Sequence, residues 1–153
     1  MTPLPETLLS LPATRCQILL QSKKRALEMM CNLAAEVHQQ LEAGVLFDTI
    51  IEREQLGTTG FGHGVAIPHA RIDGLESPVA IVYQLQQGVD FDAVDQEPVD
   101  IIFMLLVPKE ATEEHIAILG VLASMLRNRA FTARMRASRS DQQLFELISN
   151  WSG

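Results

Sequence analysis

"VDIIFMLLV" runs from Val99 to Val107, and the fold turns on how it is read. Every residue after Asp100 is apolar, and β-branched or large side chains dominate. A run with no polar alternation predicts a strand covered on both faces. "PVAIVYQL", from Pro78 to Leu85, has the same character, and Pro108 closes the longer run. Between the two, "QQGVDFDAVDQEP" predicts a loop that includes a short edge strand. Cys16–Leu19 and Val65–Ile67 are weaker strand candidates.

The flanking segments are helical in pattern. Ser22 is a good N-cap, and Leu27, Met30, Cys31, Ala34, Val37 and Leu41 recur at helical spacing after it. Gly44 is suited to close that helix with a left-handed residue. A second helix is expected near Leu46–Leu56, with Leu46, Ile50, Ile51 and Leu56 as its apolar stripe, and Gly57 ends it. Arg53 falls in its last turn, where positive charge suits the macrodipole. "GTTGFGHG", from Gly57 to Gly64, reads as a loop. Farther on, Thr112 can cap a helix that turns Ile116, Leu119, Leu122 and Ala123 inward. Phe131–Arg136 reads as a short helix, and Ser140 with Gln143 has capping-box spacing ahead of Leu144, Leu147 and Ile148. Helices that precede, separate and follow strands predict a sheet with helices on both faces.

At 153 residues the chain is most economically one domain, spanning 1–153, with residues 1–14 expected to be flexible or loosely docked. Its composition, 47% hydrophobic and 20% charged, is ordinary for a soluble globular protein. No apolar run approaches the roughly 20 residues that cross a bilayer, so no membrane insertion is expected. The N-terminus lacks the basic and apolar regions of a secretory leader. Cys16 and Cys31 read as free thiols, which fits a cytoplasmic protein. A formal net charge of −7 argues against nucleic acid as a partner. The charge is unevenly placed. Acids recur from Ile72 to Leu126, with Lys109 as the one base. Arg127, Arg129, Arg134, Arg136 and Arg139 then follow with no acid before Asp141. That basic stretch reads either as a solvated helical face or as a docking surface for an acidic partner.

Several chemistries have no support in the motifs. Gly60, Gly62 and Gly64 do not have dinucleotide-fingerprint spacing, and no nucleotide P-loop occurs. The acidic loop lacks the glycine and final glutamate of an EF-hand, and no serine sits in a G-x-S-x-G elbow. The histidines are His38, His63, His69 and His115. His38 sits among polar helix residues. No helical histidine pair or Cys-x-x-Cys supports a metal, and no cofactor is expected.

"GVAIPHAR", from Gly64 to Arg71, gives His69 a better case. Pro68 biases Ile67 toward extended geometry and fixes its own φ, so His69 is presented at a strand end on stiff backbone. Gly62 and Gly64 allow close approach to a bound group, with bare N–H groups available to an anion. His115 falls at N3 behind Thr112, in a first helical turn that suits phosphate. Arg53 can make planar, bidentate phosphate contacts. Taken one at a time, each of these residues also fits a structural role.

"GTTGFGHGVAIPHAR" resembles the active-site segment of enzyme IIA of the bacterial phosphotransferase system, in its fructose–mannitol branch. "FDAVDQEPVDIIFMLLVP" and "TEEHIAILGVLA" resemble that family's second block, and "QSKKRALE" (Gln21–Glu28) resembles its nitrogen-regulatory subgroup. The resemblance spans about Gln21 to Ile148. It implies a three-layer α/β/α fold with a mixed, roughly five-stranded sheet. It implies that His69 accepts a phosphoryl group from an HPr-like phosphocarrier and that His115 and Arg53 stabilise it. No nucleotide or metal is then needed, because a phosphohistidine is itself a high-energy donor. Many relatives carry asparagine where this chain has His63, whose role the resemblance leaves open. Two functions are implied. One is a regulator whose phosphorylation state selects its partners, which in this subgroup include potassium transporters and sensor kinases. The other is a sugar-transport IIA that passes phosphate to a fructose- or mannitol-type IIB. "QSKKRALE" and the lack of an attached transport domain favour the regulator.

Overall fold

A computed structural model describes residues 4–152. At its centre β5 (Val79–Val89) and β6 (Val99–Pro108) run antiparallel, with Tyr83 opposite Ile102. β1 (Thr14–Ile18) lies parallel to β5 on one side. On the other side β3 (Val65–Ala66) and β4 (His69–Ile72) both run parallel to β6. Val65 is opposite Ile101, and His69 is opposite Leu105. The offset is the same, so β3 and β4 are one strand interrupted at Ile67–Pro68. β2 (Gly60–Gly62) pairs antiparallel with β3 and completes a mixed sheet of five positions.

The unbroken apolar runs follow from burial on both faces. Ile81, Tyr83, Ile102 and Met104 pack on α1 (Lys23–Val37) and α2 (Ala43–Leu56). Val82, Ile101, Phe103 and Leu105 pack on α3 (Glu113–Arg127), α4 (Arg129–Arg136) and α5 (Asp141–Ser149). Phe103 is fully buried, and truncating such a ring to alanine costs about 3–5 kcal/mol. Ser22, Thr112, Asn128 and Ser140 each cap a helix by accepting a backbone N–H three residues on. Asn128 joins α3 to α4 across a 79° bend. The one buried polar side chain deep in β5 also has a job. Gln84 Oε1 accepts from the backbone and side chain of Gln17, filling the irregularity where β1 shifts register.

Four expectations need correction. The first helix stops at Val37 instead of reaching Gly44. The chain turns at His38, whose carbonyl accepts from Leu41 N–H. Leu41 is buried either way, so the apolar period ran past the true end. Gly44 lies inside the first turn of α2. "GTTGFGHG" is not wholly loop, because Gly60–Gly62 pairs as β2. No separate edge strand forms after Leu85. Instead, β5 itself continues to Val89 through a register shift. Finally, the N-terminal segment is docked from Leu8 onward, while residues 1–3 lie outside the described chain. Leu8 is buried among Ile67, Phe103 and their neighbours, its carbonyl accepts from Ala80 N–H, and a 3-10 turn at Leu11–Ala13 leads into β1.

His38, at the C-terminal cap of α1, has its pKa pulled below the ordinary 6.5 by burial. The folded chain therefore holds this imidazole neutral at pH values where the unfolded chain has taken up a proton. Its contribution to stability is present above pH 6.5 and is lost as pH falls below it. Urea midpoints at pH 7.5 and pH 5.5 should differ less for His38→Gln than for the parent chain. An identical drop in both would remove His38 as a source of acid sensitivity.

Candidate active site

The break at Ile67–Pro68 sets the geometry. Pro68 has no N–H, but its carbonyl still accepts from Leu105 N–H of β6 at 2.8 Å. In a strand the N–H and C=O of one residue face the same side, so the missing donor leaves one β6 ladder position unfilled at the interruption, and β2 pairs only with β3, so β4 has no strand on its outer side. Side chains alternate along this strand. Val65 and Ile67 go into the core under α3–α5, and Ala66 and Ala70 into the other. His69 and Arg71 continue the Val65–Ile67 face past the end of the packed core.

There they line a cleft of about 520 Å³ at the open edge. α2 contributes Thr49, Glu52, Arg53 and Leu56, β6 contributes Leu105 and Val107, and α3 contributes His115, Ile116 and Leu119. His69, His115 and Arg53 are thus brought to one cavity from three separate elements. A larger cavity, about 630 Å³ between α4 and α5, has no imidazole or thiol in its lining.

The two imidazoles are held in opposite tautomers. His69 Nδ1 lies 2.8 Å from its own chain's Ile67 carbonyl. A carbonyl oxygen only accepts, so Nδ1 carries the proton and Nε2 keeps a lone pair in the neutral ring. His115 is at N3 of α3, as its spacing from Thr112 predicts, and the two form a reciprocal capping box. Thr112 N–H donates to His115 Nδ1, and His115 N–H donates to Thr112 Oγ1, both long at 3.4 Å. A backbone amide only donates, so the neutral His115 ring carries its proton on Nε2. Arg53 donates Nη1–H to the Gly57 carbonyl at 2.9 Å, and its other donors remain for the cleft.

Gly62 and Gly64 are not part of this cleft. They have φ of +110° and +78°, and they form the β2–β3 turn beside the start of β6. His69 is five residues beyond Gly64 along the strand, on the order of 16 Å away. What demands glycine is the left-handed backbone, with crowding added at one of the two positions. A Cβ on Gly64 would lie 2.6 Å from Arg136 Nη2. Arg136 donates to the His63 carbonyl and, through Nε, to both Asp100 oxygens. His63 is in the same turn. Its N–H donates to Asp95, whose carboxyl is held below its ordinary pKa by the N–H groups of His63 and Glu97. Its ring lies against Arg129.

Some cleft residues were not singled out from the sequence. Arg71 was legible, since residue i+2 of a strand shares a face with residue i. Leu56 and Ile116 were misassigned to the core. They are 83% and 48% exposed, at the cleft rim. Among the described residues no group of three or more metal-binding side chains comes together. No single helix there is long and apolar enough to cross a membrane.

A family model described as "Phosphoenolpyruvate-dependent sugar phosphotransferase system, EIIA 2" matches residues 8–151. The chain belongs to the type-2 EIIA family. It is 44% identical to a nitrogen regulatory protein of Pseudomonas aeruginosa over 127 residues, covering 83% of this chain and 82% of that protein. It is 40% identical to the nitrogen regulatory protein of Escherichia coli K12 over 149 residues, covering 96% and 90%. The crystal structure of nitrogen regulatory protein IIA-Ntr from Neisseria meningitidis superposes with a TM-score of 0.84 at 33% identity, covering 94% of this chain and 97% of that one. The mixed sheet between helices implied by the resemblance is therefore the fold of this EIIA chain.

The Gly62–Gly64 turn of this EIIA should matter for stability alone. Gly64→Ala puts a side chain into left-handed backbone against Arg136 and should cost about 1–3 kcal/mol, read as a lower urea midpoint. The ring ¹⁵N signals of His69 and His115 should not move. An unchanged midpoint would count against this explanation, and shifted ring signals would return the turn to the site.

Proposed function

We propose that His69 is a phosphoryl acceptor that takes its phosphate on Nε2 from the phosphohistidine of an HPr-class carrier. The observation that carries this reading is the Nδ1 bond to Ile67 O, which leaves Nε2 as the ring nitrogen available to the cleft. In the transfer, the Nε2 lone pair forms the new N–P bond as the carrier's N–P bond breaks. The carrier ring recovers that bond's electron pair and leaves neutral when its second nitrogen holds a proton. The His69 proton stays on Nδ1, where the Ile67 carbonyl accepts it and favours the positive charge that develops on the ring. Nothing in this step needs a metal or a nucleotide.

His115 and Arg53 have the chemistry to hold the phosphoryl oxygens. His115 offers Nε2–H from the first turn of α3, and Arg53 offers guanidinium donors braced on Gly57. In-line transfer between two nitrogens depends mainly on orientation and charge stabilisation, which is what fixed donors supply. Exposed Leu56 and Ile116 beside the cleft suit a protein donor better than a small molecule.

The resulting phosphoprotein acts as a regulator. Phosphorylation adds about −1.5 to −2 charges at the cleft. The chain is already acidic between Ile72 and Leu126, so a partner presenting acidic or apolar groups to His69 is repelled without refolding of the domain. The names of the similar nitrogen regulatory proteins support this reading over sugar transport.

Incubation with phosphoenolpyruvate, enzyme I and an HPr-type carrier should add the mass of one phosphoryl group to the parent chain. His69→Ala should stay unlabelled while remaining folded. Undiminished labelling in that variant would exclude His69 as the acceptor. His115→Ala should still label at His69, at a rate lower by roughly 100-fold. Label found on His115, or an unaffected rate, would overturn its supporting role.

A further inference from the structure

Two charges in this chain sit where their own helices disfavour them. Lys23 is the first residue of α1, where the macrodipole is positive, and Glu54 is in the last turn of α2, where it is negative. Both are also largely withdrawn from water, with side chains 19% and 4% exposed. Local helix stability accounts for neither position, so their use must be tertiary.

They meet each other. Lys23 Nζ lies 2.9 Å from Glu54 Oε2 and 4.8 Å above the Phe91 ring. The carboxylate then accepts two further bonds from Thr59, from its N–H at 3.2 Å and from its hydroxyl. Glu54 thereby grips the segment just past the end of α2. The neighbouring residue grips it from the cleft side, because Arg53 is braced on Gly57 O.

Thr59 also leads to the second cleft residue. Its carbonyl accepts from Ile67 N–H at 3.1 Å, and the Ile67 carbonyl is the acceptor that fixes the His69 ring at 2.8 Å. An unbroken series of contacts thus runs from Lys23 to Glu54, Thr59, Ile67 and His69, with a branch through Gly57 to Arg53. A buried ion pair is weak evidence for stability as such, but it can enforce one arrangement of the groups around it.

We propose that the buried Lys23–Glu54 pair positions both Arg53 and the His69 ring for phosphoryl transfer. Neither residue lines the cleft, so each acts through the Gly57–Thr59 segment. The inference rests on the transfer reading above.

The test uses the full chain with Glu54→Gln, which keeps the size and removes the charge, and Lys23→Gln, a milder change at the more exposed end of the pair. In folded protein, each should lower kcat for transfer from phospho-carrier by roughly 10- to 100-fold, as expected for small misplacements. KM for the carrier should stay nearly constant, and Lys23→Arg should restore most of the rate. Glu54→Gln should have a smaller effect in an Arg53→Ala background than alone, since part of it passes through Arg53. Ring ¹⁵N spectra of the unphosphorylated variants should show His69 losing its single Nδ1–H tautomer. Should Glu54→Gln fail to fold, Lys23→Gln and its arginine rescue decide. A lower melting temperature with unchanged kcat and an unchanged His69 tautomer would overturn the proposal, as would an effect confined to KM. Should the parent chain accept no phosphate at all, the transfer reading fails separately, and the tautomer spectra still decide the positioning of His69.

Discussion

Parallel pairing of Val65–Ile72 with β6, interrupted at Ile67–Pro68, is the constraint on which the site depends. The pairing fixes His69 opposite Leu105, and the Ile67 carbonyl, on the outer side where no strand pairs with it, faces back to the His69 ring. β2 stops at β3, so the strand has an unpaired edge where His69 lies. An exposed edge is ordinarily a liability. Here it is short, begins at a proline and is flanked by the end of α2 on one side and the start of α3 on the other. Those two helices turn an edge into a cleft.

The two helices reach it with opposite ends. α3 presents its N-terminal turn, with unpaired N–H groups and His115 at N3. α2 presents its last turn, whose dipole is unfavourable to an anion, and places Arg53 there. Arg53 therefore offsets its own helix terminus as well as supplying donors. The cleft lining thus includes two cations, Arg53 and Arg71, beside Glu52.

Much of this was legible in the sequence, and the failures have identifiable causes. The two long apolar runs marked the central strands, because burial on both faces leaves no alternation to confuse with a helix. Thr112 fixed His115 at N3, since capping is a local rule. Pro68, which restricts the backbone on both sides, marked His69 as lying at a strand end, where β4 begins. What failed needed tertiary information. Gly62 and Gly64 have the composition of an anion loop, yet Arg136 and Asp100, distant in sequence, fill the space beside Gly64. Leu56 and Ile116 keep helical period with true core residues, and period cannot tell a core from a cleft rim. Lys23 and Glu54 break the local charge rule, which was the one available sign of their pairing.

The basic stretch after Leu126 resolves in a similar way. Arg127 lies 5.8 Å from the Phe61 ring, Arg129 meets His63 and Arg136 holds Asp100. Three of the arginines that read as a solvated face or an acidic-partner surface are thus engaged with β2, its turn and the start of β6. They fasten the edge strand at the end of the sheet away from His69, where β2 is only three residues long and has few bonds of its own. One end of the β3–β4 strand is therefore held by β2 and the arginines of α3 and α4, and the other has no strand beside it. Both ends share the register with β6, so one pairing sets the position of the fastened turn at the first end and of the His69 ring at the second.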